Sequence, residues 1–260
     1  MPMLDETTRL RLPLVRRLEA IGFRAWPAAT AQYDGSWLVR MTPGHGSRRL
    51  NSINPLDPHD GSDMAGRLER AARQFRDAGL VPTVRQTPLT PPGLVAHLDA
   101  MGWTRFSETI VMTVDIPPNP ASDELGHVPL RDVARFVEAR MAIAGDPPET
   151  KVALTSVIEA IRAECGLFLF EDVGQGPTAV ALAVQDYDLA GLLLVAVRPE
   201  RRGEGIGRDI VGASLRWARL KGARKAWLAV EAENAPALAL YRGLGFTEAY
   251  RYLYRTPAGE

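Results

Sequence analysis

Three glycines within five positions, Gly203, Gly205 and Gly207, lie in the stretch Val195-Ala-Val-Arg-Pro-Glu-Arg-Arg-Gly-Glu-Gly-Ile-Gly-Arg208. An apolar strand-like run precedes them and an amphipathic helical run follows. Such a junction suits phosphate. The first backbone N–H groups of a helix have no internal partner, the helix dipole is positive there, and glycines let main chain approach an anion with no Cβ in the way. Arg202 adds fixed charge, and Pro199, which has no N–H, ends the strand's ladder and turns the chain. Glu204 and Ile206 complete the loop. The spacing excludes two nucleotide signatures. Gly-x-Gly-x-x-Gly fails because Arg208 and Ile210 stand where the third glycine belongs, and a Walker loop fails for want of Gly-Lys-Ser/Thr.

The surrounding periodicity predicts the elements that position this loop. A strand over 191–197 leads into it, and a helix over 206–221 leaves it with Ile206, Ile210, Ala213 and Trp217 on one face. Gly222 ends that helix. A strand over 226–231, a helix over 236–244 and a strand over 247–254 complete the second half. Upstream of the loop, helices are expected over 130–144 and 149–163, and strands over 167–171 and 178–185.

The first half reads as a helix over 7–21, strands over 32–41 around Asp34-Gly35, and a strand over 50–56. A helix over 62–78 follows, capped by Ser62 and carrying Leu68, Ala71, Ala72 and Phe75 as its apolar stripe. After it come a strand over 83–87, a helix over 92–101 and a strand over 108–116. The run Pro117 to Pro129, with four prolines and no periodic apolar face, reads as a linker.

An offset of 143 positions carries Gly79 onto Gly222, Val84 onto Trp227, Pro92 onto Ala235, and Gly102-Trp103-Thr104 onto Gly245-Phe246-Thr247. The two halves therefore repeat one order of helix stop, strand, short helix, Gly-aromatic corner and strand.

Val197-x-Pro199 followed by Arg202-Gly-Glu-Gly205-Ile-Gly207 resembles the acyl-CoA pyrophosphate loop of the GNAT superfamily of N-acyltransferases. The stretch Val230-Glu-Ala-Glu-Asn234-Ala-Pro-Ala-Leu-Ala-Leu-Tyr241-Arg-Gly-Leu-Gly245-Phe246 is similar to that superfamily's second motif. The resemblance implies an α/β fold with a mixed sheet, in two GNAT-like modules in tandem: a degenerate domain over 1–116, a linker over 117–129 and a catalytic domain over 130–260.

It further implies that Val195, Ala196 and Val197 expose main chain to a pantetheine arm, and that Arg202, Gly203, Glu204, Gly205, Ile206 and Gly207 hold the pyrophosphate. Asn234 contacts cofactor or substrate, or caps the following helix. Tyr241 protonates the departing thiolate, or packs beside Phe246. No general base is assigned, because the strand over 191–197 carries no carboxylate; Glu231, Glu233 and Asp186 are candidates and equally ordinary solvated acids. At the same offset His59, Ser62 and Met64 replace Arg202, Gly205 and Gly207, while Pro91 and Leu98 replace Asn234 and Tyr241, so the first copy keeps the shape and loses the chemistry. Arg48 and Arg49 either line an acceptor cleft or sit on the surface.

The implied reaction is transfer of an acyl group, acetyl by expectation, from acetyl-CoA to a small-molecule or peptide amine by direct attack. A non-catalytic acyl-CoA-binding module is the alternative. Lys plus Arg and Asp plus Glu balance at 31 each, which disfavours a nucleic-acid partner. No run approaches the roughly 18 apolar residues of a membrane span. The single Cys165 makes no intrachain disulfide and reads as a small buried apolar residue. His45, His59, His97 and His127 have no metal-ligand spacing, so no metal is expected. A cytoplasmic protein follows as the expectation, either a monomer with internal pseudo-dimer symmetry or a homodimer.

Overall fold

The computed structural model describes residues 6–118 and 127–259, so most of the expected linker, 119–126, lies outside the described residues. Contacts divide the chain into two units that do not follow chain order. Unit 1 runs through Ile110 and adds Glu231–Glu233 and Ala249–Glu260; unit 2 comprises Val111–Val230 and Asn234–Glu248.

Unit 1 contains α1 (Glu6–Ala25), β1 (Thr30–Asp34), β2 (Trp37–Met41), β3 (Ser52–Pro55), α2 (Met64–Asp77), β4 (Val84–Gln86) and α3 (Pro92–Ala100). It also takes the start of β5 (Thr104–Asp115) and most of β10 (Thr247–Thr256). Its strand order is β1-β2-β3-β4-β10-β5. β1–β2 and β2–β3 are antiparallel, β3–β4 is parallel and β4–β10 is antiparallel. The stripe of α2 (Leu68, Ala71, Phe75) packs with Trp37, Ile53, Val84, Leu94, Leu98 and Trp103, which is why its apolar residues recur at helical spacing.

A buried ion pair also crosses this unit. Arg85 on β4 bonds Glu19 on α1, Tyr250 donates to the same carboxylate, and the Arg85 guanidinium lies 3.7 Å from the Tyr252 ring centroid. Arg255, buried on β10, donates to Asp99 (2.6 Å) and to the Trp103 carbonyl (2.8 Å).

Unit 2 contains α4 (Val133–Ala144), α5 (Thr150–Glu159), β6 (Glu164–Asp172), β7 (Gly176–Asp186), β8 (Leu189–Val197), α6 (Ile206–Leu220), β9 (Lys225–Glu231) and α7 (Ala235–Gly243). Its strand order is β5-β9-β8-β7-β6, with β6–β7 and β7–β8 antiparallel and β8–β9 parallel. Thr178 to Val184 on β7 are consecutively buried, the mark of a strand covered on both faces; α4 and α6 pack on it. Phe168 and Trp217 meet edge-on at 6.2 Å.

The 143-residue offset carries α3, Pro92–Ala100, onto α7, Ala235–Gly243, end for end, and the start of β5 onto the start of β10. Some sequence expectations are corrected. Ser62 does not cap α2; Asp63 occupies the N-cap in left-handed backbone (φ 45°), with no side-chain cap bond. The strand expected from Glu108 begins at Thr104; its first five residues are exposed or half-buried, with no buried-and-exposed alternation to mark them. Leu130 is not helical but forms an isolated bridge to Leu167. Cys165 is half-buried rather than enclosed.

Candidate active site

β8 changes character halfway along. Leu189 to Leu193 are buried, whereas Leu194 to Val197 are half-buried. Pairing with β9 runs from Leu189↔Lys225 to Leu192↔Leu228, although both strands continue beyond. Leu194 has φ 53°, a conformation a branched side chain rarely adopts, and the β7–β8 register shifts beside it, between Val180 and Leu182. This bulge turns β8 away from β9. Main chain of Val195, Ala196 and Val197 therefore leaves the parallel ladder on the β9 side while β7 still holds Val197 and Ala196 through Ala179 and Val180. The signal that places the bulge at a leucine is absent from the sequence.

Beyond β8, Pro199–Arg201 forms one 3-10 turn and the glycine loop follows. Gly203 and Gly205 take φ 85° and 88°, where only glycine is unstrained, and a Cβ at either would meet nothing within 4 Å. Gly205 is the N-cap of α6, and the first intrahelical bonds are from the Arg208 and Asp209 amides to its carbonyl, at 2.9 and 3.1 Å. The amides of Ile206 and Gly207 lie upstream of that ladder, at the positive end of the helix dipole.

Gly207 has a packing reason as well. A Cβ there would approach Leu240 Cδ2 at 3.2 Å and Val197 Cγ2 at 3.5 Å, so glycine lets α6 start close against α7 and the end of β8. Arg202 is exposed and its Nε donates to the Val197 carbonyl at 3.3 Å. Glu204 is exposed and accepts from Arg201 Nε at 2.8 Å; Arg201 also bonds Asp172. Arg201 is thus held by two carboxylates and Arg202 by a carbonyl. Sequence reasoning singled out neither Arg201 nor Arg208, whose Nη2 donates to the Gly243 carbonyl at 3.4 Å and further ties α6 to α7.

Asn234 caps α7 through Oδ1, which accepts from the Ala237 amide at 3.1 Å. Tyr241 is buried on α7 and meets Phe246 edge-on at 5.8 Å; burial pushes its hydroxyl pKa up to about 12. Val197, Arg202, Gly207, Leu240 and Gly243 are thereby brought into one neighbourhood by direct contacts. Of the candidate bases, Glu231 and Glu233 are exposed and belong to unit 1, and Asp186 is half-buried at the end of β7. In the first half, two acids, Asp60 and Asp63, stand just before α2. Asp60 accepts from Arg67 (2.6 Å) and Ser36 (2.6 Å), and Asp63 from Arg70 (3.0 Å). The Ser36 and Arg67 bonds hold the Asp60 carboxyl well below the usual carboxylate range.

Among the described residues no group of three or more His, Cys, Asp or Glu is arranged to hold a metal ion. No described helix is long and apolar enough to cross a membrane.

Residues 14–255 match the family model described as "Probable histone acetyltransferase Rv0428c C-terminal". The chain is 24% identical over 248 residues to "Uncharacterized N-acetyltransferase YobR" of Bacillus subtilis (strain 168), a match covering 93% of this chain and 98% of the relative. In fold it is similar to a GCN5-related N-acetyltransferase from Kribbella flavida, with TM-score 0.64 and 20% identity over 99% of this chain and 98% of the other. It is also similar to a tandem GNAT protein from the clavulanic acid biosynthesis pathway, with TM-score 0.59 and 15% identity over 92% and 87% of the two chains.

Proposed function

The chain belongs to the family described as probable histone acetyltransferase Rv0428c C-terminal, an acetyl-CoA-dependent acyltransferase of the GNAT superfamily, and on that premise we propose that unit 2 holds the cofactor at the junction of β8 and α6. The observation that carries this reading is the departure of β8 from β9 after Leu192, on the strand that leads through one 3-10 turn to a glycine N-cap whose surroundings are open. Those residues fit acetyl-CoA. Main chain freed from a ladder at Val195 to Val197 offers hydrogen bonds to an amide-bearing arm. Gly203, Glu204 and Gly205 form the loop, the Ile206 and Gly207 amides face an anion, and Arg202, tethered to Val197, contributes the positive charge. When bound, acetyl-CoA supplies a thioester-activated acetyl group for direct transfer to an amine.

Tyr241 holds its proton across the neutral range, as a group pushed up to about 12 must, and we assign its hydroxyl as the hydrogen-bond and proton donor that meets the departing thiolate as charge develops on it. Asn234 fixes the start of α7, and through it Tyr241; its carbonyl oxygen is occupied by the cap, which leaves the side-chain amide for cofactor or substrate. The acceptor is a small-molecule or peptide amine. The protein acts in the cytoplasm as a monomer or homodimer, with no nucleic-acid or membrane partner.

We read the chain as two GNAT-like modules in tandem, with a degenerate domain over 1–116 and a catalytic domain over 130–260. The end-for-end agreement of α3 with α7 supports this, as does the shared antiparallel, antiparallel, parallel order of β1–β4 and β6–β9. The first module binds no cofactor: Asp60 and Asp63 place carboxylates at the helix end where a pyrophosphate would sit. The test is release of CoA thiol from acetyl-CoA in the presence of a panel of amines. Cofactor binding with no thiol release from any amine would favour the non-catalytic alternative.

A further inference from the structure

Unit 1 contains a cavity of about 600 Å³, within the range that small organic ligands occupy. Leu80, Val81 and Phe106 give it apolar lining, and Val81 keeps 47% of its surface exposed. Two cations, Arg48 and Arg105, stand among otherwise neutral polar lining residues. Arg105 is already matched, since its guanidinium donates to both oxygens of Asp99 at 3.0 Å. Arg48 is different. Among the described residues its partners are neutral: it lies 4.7 Å from the Phe106 ring centroid and donates to Ser107 Oγ at 3.3 Å. Ser107 sits within β5 at φ 50°, a conformation strained for serine, and its hydroxyl steadies Arg48.

Two of the polar lining residues are braced. Asn51 accepts from the Thr42 amide at 2.6 Å and donates to the His45 carbonyl at 2.7 Å. His45 Nδ1 accepts from the Ser47 amide at 3.0 Å, which leaves Nε2 to carry the proton of the neutral ring, and burial lowers its pKa. A stacked guanidinium held on an aromatic face loses little freedom when it pairs with a planar anion.

We propose that this cavity binds a small carboxylic acid with an apolar tail, the carboxylate on Arg48 and the tail along Leu80, Val81 and Phe106. The site lies within unit 1 and stands independently of the acyl-transfer reading. Phenylacetate titrated into the full chain, followed by calorimetry, is the probe, with phenylacetamide and inorganic phosphate as parallel arms. One saturable site per chain is expected, with the neutral amide and bare phosphate each at least about tenfold weaker. Arg48→Gln should lose at least about tenfold in phenylacetate affinity and keep its acetyl-CoA affinity. Val81→Asp, which sets a competing carboxylate at this exposed lining position, should do the same, with circular dichroism confirming that both variants fold. Absence of saturable phenylacetate binding in the tens of millimolar range overturns the proposal. So does unchanged affinity in either folded variant, or phosphate or phenylacetamide binding as tightly as phenylacetate.

Discussion

Replacing Gly205 by aspartate should weaken acetyl-CoA binding by roughly 100-fold relative to Gly205→Ala. Both substitutions carry a backbone cost of about 1–2 kcal/mol, the smaller for aspartate, because φ 88° is left-handed. Neither creates a clash, since a Cβ at this position meets nothing within 4 Å. The carboxylate is the difference that can weaken anion binding, since the backbone difference favours aspartate. At roughly 6 Å from a phosphate and an effective dielectric of about 40, between surface and bulk values, each like-charge pair costs about 1.4 kcal/mol. The two charges of a pyrophosphate give about 3 kcal/mol, or roughly 100-fold in Kd. Titration calorimetry on both variants, with circular dichroism to confirm folding, measures the ratio. Repeating it near 1 M salt should shrink the ratio, because screening shortens to about 3 Å. Equal affinities for the two variants at low salt would refute a pyrophosphate site at the start of α6.

Tyr241→Phe should lower kcat by roughly tenfold or more with little change in acetyl-CoA Kd; equal turnover would leave Tyr241 as a packing partner of Phe246. With its pKa pushed up to about 12 by burial, Tyr241 stays protonated through pH 9, so kcat should show no alkaline limb from this group there. Its raised pKa also makes the native state bind the extra proton between pH 10 and 12, so its contribution to stability falls as pH rises through that window, which pH-dependent melting would reveal. Acetyl-CoA should bind at one equivalent per chain; a second equivalent that survives Gly205→Asp would place a working site in the first half. Cys165, raised to about 11 by burial and by Glu164, should react with iodoacetamide at pH 8 far more slowly in the native protein than in urea. Glu19→Ala should destabilise unit 1 by about 3 kcal/mol, because it strands the buried Arg85 charge, and urea denaturation would register the shift in midpoint.

Local chemistry made most elements readable. The stripe of α2, the glycine stops at Gly79 and Gly222, and the turn at Asp34-Gly35 each act within a few residues, so a linear reading finds them. The cap at Asn234 and the aromatic pair Tyr241–Phe246 were legible for the same reason. What escaped depends on residues far apart. The left-handed turn at Leu194 is imposed by β7 pairing on one side and the lost β9 pairing on the other, and leucine itself carries no hint of it. Nothing near Arg255 says that it will be buried against Trp103, and nothing near Asp63 says that it will take the N-cap from Ser62. The sharing of residues between the two units is likewise a matter of pairing partners chosen over more than a hundred positions.

That sharing sets an order on synthesis. Unit 1 includes residues 249–260, and Arg255 reaches the Trp103 carbonyl across a separation of 152 residues. At translation speeds of roughly 5–20 residues per second, the ribosome needs roughly 8–30 seconds to deliver the second partner after the first. For that interval β4 has no β10 beside it and offers an unsatisfied strand edge to its surroundings. Nascent chains of this protein should therefore engage holding chaperones for longer than their length alone would require, and a circular permutant that brings 247–259 ahead of residue 6 should shorten that engagement.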